Sequence, residues 1–338
     1  MSSAGINIYD LITTENVNPF DVFNLDDTGD IVVILCHFNP CAYQYPIQNL
    51  KKVLSWLYTQ KLPTYAVELR CGESLNREPI LPIGHSKVIQ LKSNFTIFRK
   101  DNLWNVVADK LPSNFKYILC IDADAIIVGD DWKNNLLRKF DTAKIIQPFS
   151  KVLWTDSLGR VFKEKLSWGY GFANKIDLPQ ISHHFSPGLS IAVTRDFWEQ
   201  TNGMFNSPIG GGSLFLMSAM MGIENELEPV LENISEAFLQ DYKRWGKSVY
   251  KWADLKFDFI EATGFHLWHG SRKKRKYEER FERLKKFDPR TDIVADDNIG
   301  IYEWSESAIR NKKELIKAVD TYFAIREEDE FYDSKIIH

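Results

Sequence analysis

The segment 31–38 constrains the fold of this chain most, because its sequence, IVVILCHF, is almost entirely apolar and rich in β-branched residues. Such a run predicts a strand that is buried on both faces, as in a parallel sheet covered by helices. Residues 46–60 follow with apolar side chains at helical spacing, and residues 64–69 form a second predicted strand. The alternation continues with a short strand, a helix and a third buried strand, at residues 87–91, 100–110 and 117–121. This pattern predicts an α/β fold with a mostly parallel sheet and crossover helices.

The pattern becomes less regular after about residue 150, which predicts that the second half of the sheet is mixed. Further strand candidates lie at residues 145–149 and 189–193, and residues 305–326 have the spacing of an amphipathic helix. We therefore expect three parts: an N-terminal arm, a main α/β domain and a C-terminal helical extension, at residues 1–28, 29–290 and 291–338.

Charge and cysteine usage exclude some classes of protein. The 338 residues carry a formal net charge of −4, which argues against a general nucleic-acid binder. One local exception is the segment 271–290, where ten Lys and Arg accompany four Asp and Glu. The four cysteines lack CxxC spacing, which argues against a zinc site. Because no signal peptide and no long apolar run is evident, we expect a cytoplasmic protein without a membrane span.

Two carboxylates follow the buried strand at residues 117–121, at Asp122 and Asp124, with Ala123 between them. Ligands of open α/β sheets bind at the carboxyl ends of strands, and alternation along an extended chain places both carboxylates on one face. Two carboxylates there can hold Mn²⁺ or Mg²⁺, which can bridge the two phosphates of a diphosphate. The alternative is a turn after the strand, with the aspartates as ordinary turn residues.

A strand that ends in Asp-Ala-Asp resembles the DxD motif of GT-A glycosyltransferases, in particular the β-1,4-galactosyltransferase-like branch and related viral and bacterial proteins. Three short motifs carry this resemblance, which spans most of residues 31–283. It implies a GT-A, Rossmann-like sheet with a mixed acceptor-side half. It also implies a metal-dependent enzyme that transfers a hexose from a UDP- or GDP-sugar to a hydroxyl acceptor.

The second motif is the stretch 186–213, SPGLSIAVTRDFWEQTNGMFNSPIGGGS. The resemblance implies that Gly188 contributes to the donor pocket and that Gly211 and Gly212 lie near the reacting sugar, where glycine lets the backbone approach a ligand closely. An acidic general base follows the glycines in that branch, whereas this chain has Ser213 there. A serine cannot act as a carboxylate base at neutral pH.

Three explanations remain open for this departure. In the first explanation another residue supplies the base, with Glu224, Glu226 and Asp156 as candidates. In the second, the enzyme retains the configuration of the sugar and needs no base at that place. In the third, the chain is a degenerate copy with weak or no catalysis. Ser213 and Glu224 are the candidate catalytic residues under this interpretation.

The third motif, HLWHGSRKKRK at residues 266–276, resembles the segment that completes the metal coordination in the same branch. It places His269 as the third metal ligand, with His266 as the alternative, since imidazole is a suitable ligand for Mn²⁺. Its basic residues, Arg272, Lys273 and Lys274, are then expected beside the diphosphate. The alternative is that these basic residues lie on a solvent-exposed helix face.

Two smaller matches concern the nucleotide. His37, Phe38 and Asn39 end the first strand, where GT-A proteins usually seat the nucleoside. Arg99, Lys100 and Asn102, at the start of the second helix, are candidates for contacts with base, ribose or sugar; the alternative is a surface helix start.

Other functions compete with glycosyl transfer. A nucleotidyltransferase or metal phosphohydrolase also uses paired aspartates, but usually needs more clustered carboxylates than this sequence shows. A non-catalytic sugar- or nucleotide-binding relative is a second alternative, suggested by Ser213. The acceptor is left open between a glycan, a lipid, a protein and a modified nucleic-acid base.

Overall fold

A computed structural model describes residues 6–12, 17–177, 184–223, 234–276, 279–296 and 299–335 of the chain. The strands are β1 (Ile31–Phe38), β2 (Thr64–Arg70), β3 (Val88–Lys92), β4 (Tyr117–Ile121), β5 (Ala125–Val128), β6 (Ile145–Gln147), β7 (Lys151–Thr155), β8 (Val161–Leu166), β9 (Ser190–Thr194), β10 (Phe257–Phe259), β11 (Thr263–His266), β12 (Ile293–Ala295) and β13 (Tyr302–Trp304). The helices are α1 (Gln44–Thr59), α2 (Lys100–Ala108), α3 (Trp132–Lys139), α4 (Trp168–Ala173), α5 (Arg195–Thr201), α6 (Gly212–Met221), α7 (Glu236–Ala253), α8 (Glu306–Asn311) and α9 (Lys313–Ala324).

A seven-stranded sheet with the order β3-β2-β1-β4-β9-β6-β10 forms the centre of the molecule. Its strands run parallel except β9, which is antiparallel to both β4 and β6. The side chains of β1 alternate between two hydrophobic cores: Val32 and Ile34 belong to one, Val33 and Leu35 to the other. Burial on both faces explains why this strand is apolar throughout.

A second sheet, with the order β5-β11-β7-β8, continues from the central one. The chain passes directly from β4 to β5 through a turn at residues 122–124, so that the carboxyl end of a central strand adjoins the second sheet. Parallel and antiparallel pairs are both present in it. The predicted α/β fold, with a mostly parallel central sheet and a mixed second half, is confirmed.

Both ends of the chain pack against the main body in the described ranges. Ile8, Val22 and Phe23 are buried in one of the two hydrophobic cores, so this part of the predicted N-terminal arm belongs to the packed structure. The C-terminal helix is divided into α8 and α9, because Lys312 leaves the helical conformation and its ammonium group binds Asp292 at 2.7 Å. Within the described ranges, no helix combines the length and apolar character needed to cross a membrane.

Candidate functional site

A cleft with a volume of about 650 Å³ lies at the carboxyl ends of β1 and β4, beside the second sheet. Segments that are distant in sequence line it, including residues 36–41, 122–124, 185–189 and 211–214, together with four side chains from the C-terminal part: Tyr322, Phe323, Arg326 and Glu328. The carboxyl edge of the parallel strands is where ligands of open α/β sheets bind. This cleft is therefore the candidate functional site.

Asp124, His266 and His269 bring their ligand atoms together inside the cleft, all within 4.8 Å of one another. His266 Nε2 lies 3.8 Å from Asp124 Oδ2, and His269 Nε2 faces the same oxygen. Burial alone would raise the pKa of Asp124, but the two imidazoles outweigh burial and hold this pKa well below its usual value. The carboxylate is therefore ionised at neutral pH.

Two ligand atoms of this cluster are buried without a hydrogen bond within the described chain, Asp124 Oδ1 and His269 Nε2. A buried polar atom without a partner is costly, and a carboxylate beside two imidazoles is a donor set that suits a divalent transition metal. The residues present therefore fit a bound metal ion. The sequence alternatives His269 and His266 both lie at the cluster.

Glu328, from the C-terminal part of the chain, holds the ring of His269. The Nδ1 atom of His269 lies 2.9 Å from Glu328 Oε1. Burial would raise the pKa of Glu328, but Arg326 and His269 lower it to about 2, so the carboxylate is ionised and can only accept a hydrogen bond. The Nδ1–H group of His269 therefore donates this hydrogen bond, and Nε2 is directed toward Asp124.

Asp122 departs from the arrangement that the sequence predicts, because its carboxylate is not part of this cluster. The chain turns after β4, with the amide of Ala125 bound to the carbonyl of Asp122, and the alternation of an extended strand does not apply. Asp122 Oδ1 instead accepts a hydrogen bond from Lys100 Nζ at 2.9 Å. Burial lowers the pKa of Lys100, but Asp122 and Asp101 outweigh it and raise this pKa above its ordinary value, which keeps a cation in the cleft.

The three predicted glycines line the cleft, as does Ser213. Gly211 has a φ of +101°, in the region that favours glycine, and a Cβ there would lie 2.7 Å from the ring of Phe281. A Cβ on Gly212 would lie 2.2 Å from the carboxylate of Asp101. Close packing therefore requires glycine at both positions. At Gly188 the nearest atoms would be 3.7 Å away, so sterics do not require glycine there.

The three candidate general bases are not among the described residues that line the cleft. Glu224 and Glu226 lie outside the described residues. Asp156 is buried away from the cleft and binds the side chains of Arg160 and Ser334. This environment differs from that of a catalytic base, because its oxygens are already engaged in holding a turn.

The basic segment forms a short 3₁₀ helix, Arg272–Arg275, so its side chains point in different directions. Arg272 lines the cleft, with its guanidinium 4.2 Å from the centre of the Trp154 ring. Lys274 binds two carboxylates, those of Glu327 and Glu330, and Lys273 is exposed outside the cleft lining. Of the three predicted phosphate contacts, only Arg272 reaches the cleft.

Arg275, which the sequence did not single out, also lines the cleft and donates a hydrogen bond to the carbonyl of His269. The short helix thereby fixes the loop that carries this histidine. Arg280 and Arg326 are further cations of the lining.

His37 and Phe38 at the end of β1, and Asn39 directly after it, line the same cleft, and their role as a nucleoside seat stays a prediction. The side chain of Asn39 makes two hydrogen bonds to the backbone of Tyr43. Its amide group donates to the carbonyl of Tyr43 at 2.8 Å, and its oxygen accepts from the amide of Tyr43 at 3.0 Å. Burial lowers the pKa of His37, although Glu68 opposes the effect, so the ring is neutral at pH 7.

Arg99 and Asn102 do not line this cleft; they point toward the C-terminal part of the chain. Arg99 donates hydrogen bonds to the carbonyl of Tyr302 and to Glu303. Asn102 binds the backbone of Gly300 and Tyr302. Lys100, on the next face of the helix, is the side chain that reaches the cleft instead.

No protein-family model matches this sequence, and no curated protein matches it either. Among solved structures, S. aureus TarS in complex with UDP-GlcNAc is similar at 9% identity and a TM-score of 0.40, covering 72% of this chain and 60% of that chain. The catalytic domain of Drosophila β1,4-galactosyltransferase 7 in complex with xylobiose has 14% identity and a TM-score of 0.33, with 58% and 62% covered. Glucosyl-3-phosphoglycerate synthase from Mycobacterium tuberculosis, in complex with Mn²⁺, UDP-glucose and phosphoglyceric acid, has 10% identity and a TM-score of 0.37, with 84% and 89% covered. The first two matches extend over less than two thirds of those chains, and similarity this distant does not identify a substrate or a reaction.

Proposed function

We propose that this protein is a metal-dependent glycosyltransferase that moves a hexose from a nucleoside diphosphate sugar, a UDP- or GDP-sugar, to a hydroxyl acceptor. The observation that carries the proposal is the cluster of Asp124, His266 and His269, whose unsatisfied ligand atoms lie in a cleft lined by cations. These three residues would hold the metal ion, and the two imidazoles favour Mn²⁺ over Mg²⁺. When bound, the ion would neutralise the charge that develops on the departing diphosphate.

The other residues of the cleft have roles that follow from their positions. His37, Phe38 and Asn39 would seat the nucleoside, and Lys100 and Arg272, which also line the cleft, would face the phosphates. Asp122 would hold the ammonium of Lys100 in place through its hydrogen bond. The glycine pair at residues 211–212 would let the backbone approach the transferred sugar.

An inverting reaction needs a general base, normally a carboxylate that is not already engaged with a cation. Within the described residues, the carboxylates that line the cleft are Asp122, Asp124 and Glu328, and each already faces a cation or an imidazole. Ser213 lies in the lining but cannot replace a carboxylate base. Glu224 remains a candidate for an inverting reaction, and a retaining reaction would need no base at this position. The same observation favours a non-catalytic sugar-nucleotide-binding protein as the second candidate.

Binding and turnover should be measured with Mn²⁺ and a panel of sugar nucleotides. Wild-type protein is expected to bind UDP or GDP only when the metal is present, and to release the nucleotide from one donor sugar. Asp124→Asn should lose the metal-dependent binding, whereas Asp130→Asn, which makes the same charge change at an exposed position, should keep it.

Two outcomes would redirect the assignment. Nucleotide binding by Asp124→Asn at wild-type affinity would contradict the metal site. Binding without any turnover across the panel would favour the non-catalytic alternative, and release of inorganic phosphate would indicate a phosphohydrolase.

A further inference from the structure

A row of side chains crosses the second sheet on the face that borders the cleft. His266 of β11 pairs with Trp154 of β7, and Trp154 pairs with Lys163 of β8, so the three residues lie side by side on adjacent strands. The ring of His266 stacks on that of Trp154 at 4.3 Å between centroids. The row therefore leads from the metal cluster to the outer strand of the sheet.

Lys165 lies on the same face of β8, because it is two residues beyond Lys163 in the strand. It pairs with Val152, and both residues line the cleft. The intervening Glu164 is on the opposite face, where it binds Lys151 at 3.4 Å. Among the described residues, no carboxylate pairs with the ammonium group of Lys163 or Lys165. Lys165 in the cleft lining and Lys163, which is exposed beside it, thus stand together on this face of the sheet.

A third cation increases the positive charge at this place. The guanidinium of Arg272 lies over Trp154, between the metal cluster and the two lysines in the row. Burial, Arg272 and Lys163 together lower the pKa of Lys165 to about 8. Neighbouring like charges repel one another, and this cost is removed when an anion binds between them.

The distance across the sheet separates this place from the proposed donor phosphates. Neighbouring strands lie about 4.8 Å apart, so the backbone at Lys163 is about 10 Å from that at His266, two strands away. A diphosphate on the metal would contact the metal cluster itself, and the nucleoside seat at β1 lies in the other sheet. The two lysines therefore lie two strands away from His266, beyond the guanidinium of Arg272.

We propose that Lys163 and Lys165 form a subsite for a phosphate group carried by the acceptor. This inference rests on the proposed function, since it names the class of acceptor that the same cleft would take. Two ammonium groups balance the two charges of a phosphate dianion, and each can donate hydrogen bonds to its oxygens. A carboxylate would balance only one of the two charges.

The test is calorimetric titration of inorganic phosphate into the protein saturated with Mn²⁺ and UDP, so that the donor site is occupied. The double variant Lys163→Gln/Lys165→Gln should raise the Kd for phosphate about tenfold or more, because two charge-assisted contacts are lost. Its Kd for UDP should stay within about twofold of wild type, since the lysines lie outside the proposed donor site. Lys243→Gln/Lys247→Gln on α7, which removes the same charge at exposed positions, should change neither constant.

Several results would overturn the subsite. These are an unchanged phosphate Kd in the double variant, a parallel loss of UDP affinity, or acetate binding as tightly as phosphate. Single-stranded DNA binding that depends on the two lysines, without binding of inorganic phosphate, would assign them to a nucleic-acid backbone. If wild-type protein binds neither UDP nor GDP, the proposed function fails. Phosphate titration without UDP still measures the subsite in that case.

Discussion

Asp101, in the first turn of α2, is a buried carboxylate that the proposed chemistry does not use. The residue is 1% exposed, and neither of its carboxylate oxygens makes a hydrogen bond within the described chain. Burial raises its pKa to about 6; Lys100 counteracts the rise, and Asp122 adds to it. We expect that Asp101→Asn stabilises the protein at neutral pH, because the amide cannot ionise.

The size of this effect follows from the difference between the folded and unfolded states. The pKa rises from its ordinary value of 3.8 to about 6, and each pKa unit corresponds to about 1.4 kcal/mol, so ionised Asp101 costs about 3 kcal/mol. Because the folded state binds the proton more tightly, the stability of wild type falls as pH increases from about 4 to about 6, and the full cost is present above pH 6. For a chain of 338 residues this corresponds to about 4 °C in Tm.

Unfolding should be measured at pH 4.5, 5.5 and 7.5, with Asp109→Asn at the exposed end of the same helix as control. The expected result is a gain in Tm for Asp101→Asn that is largest at pH 7.5 and shrinks toward pH 4.5, and no such trend for the control. A loss of stability at pH 7.5 would refute the reasoning. It would show that the ionised carboxylate gains more from its neighbouring cations than burial costs it.

Six further variants test other parts of the site. His269→Ala should raise the Kd for Mn²⁺ more than His266→Ala, because only His269 has a buried, unsatisfied Nε2; a reversed order in metal titrations would transfer the main ligand role. Glu328→Ala should weaken Mn²⁺ binding about 10- to 100-fold by releasing the ring of His269, and Glu328→Gln should recover part of this, since its amide oxygen still accepts the hydrogen bond. Gly212→Ala should lower the free energy of unfolding by about 2 kcal/mol or more, because its Cβ would overlap a carboxylate. Gly188→Ala should change it by less than about 0.5 kcal/mol, which denaturant titration can distinguish.

The parts of the fold that could be predicted from sequence are the strands whose burial gives a continuous run of apolar residues. β1 and β4 are buried on both faces, so they appear as uninterrupted apolar runs. Because the run of β4 shows where this strand ends, the acidic residues after it could be placed at the ligand-binding edge of the sheet. These local patterns were enough to predict the fold class and the position of the cleft.

The direction of individual side chains could not be predicted in the same way. At the start of α2, the side chains of Arg99, Lys100 and Asn102 point in different directions. Their sequence does not tell which of them faces the cleft. Arg99 is held by Glu303, more than 200 residues away in the chain. The expectation for Asp122 depended on an extended backbone, whereas the chain turns immediately after the strand.

The C-terminal part of the chain shows why the remaining site residues had no local signal. Glu328 contacts His269, and the carboxylate of Asp329 accepts hydrogen bonds from the amides of Gln44 and Tyr45 at the start of α1. An amide group at a helix start needs such an acceptor, and here a residue far along the chain provides it. The same short segment therefore completes a helix of the central fold and orients a proposed metal ligand. Because one segment does both, binding of a metal ion at the proposed site would also stabilise the packing of the C-terminal part against the central fold.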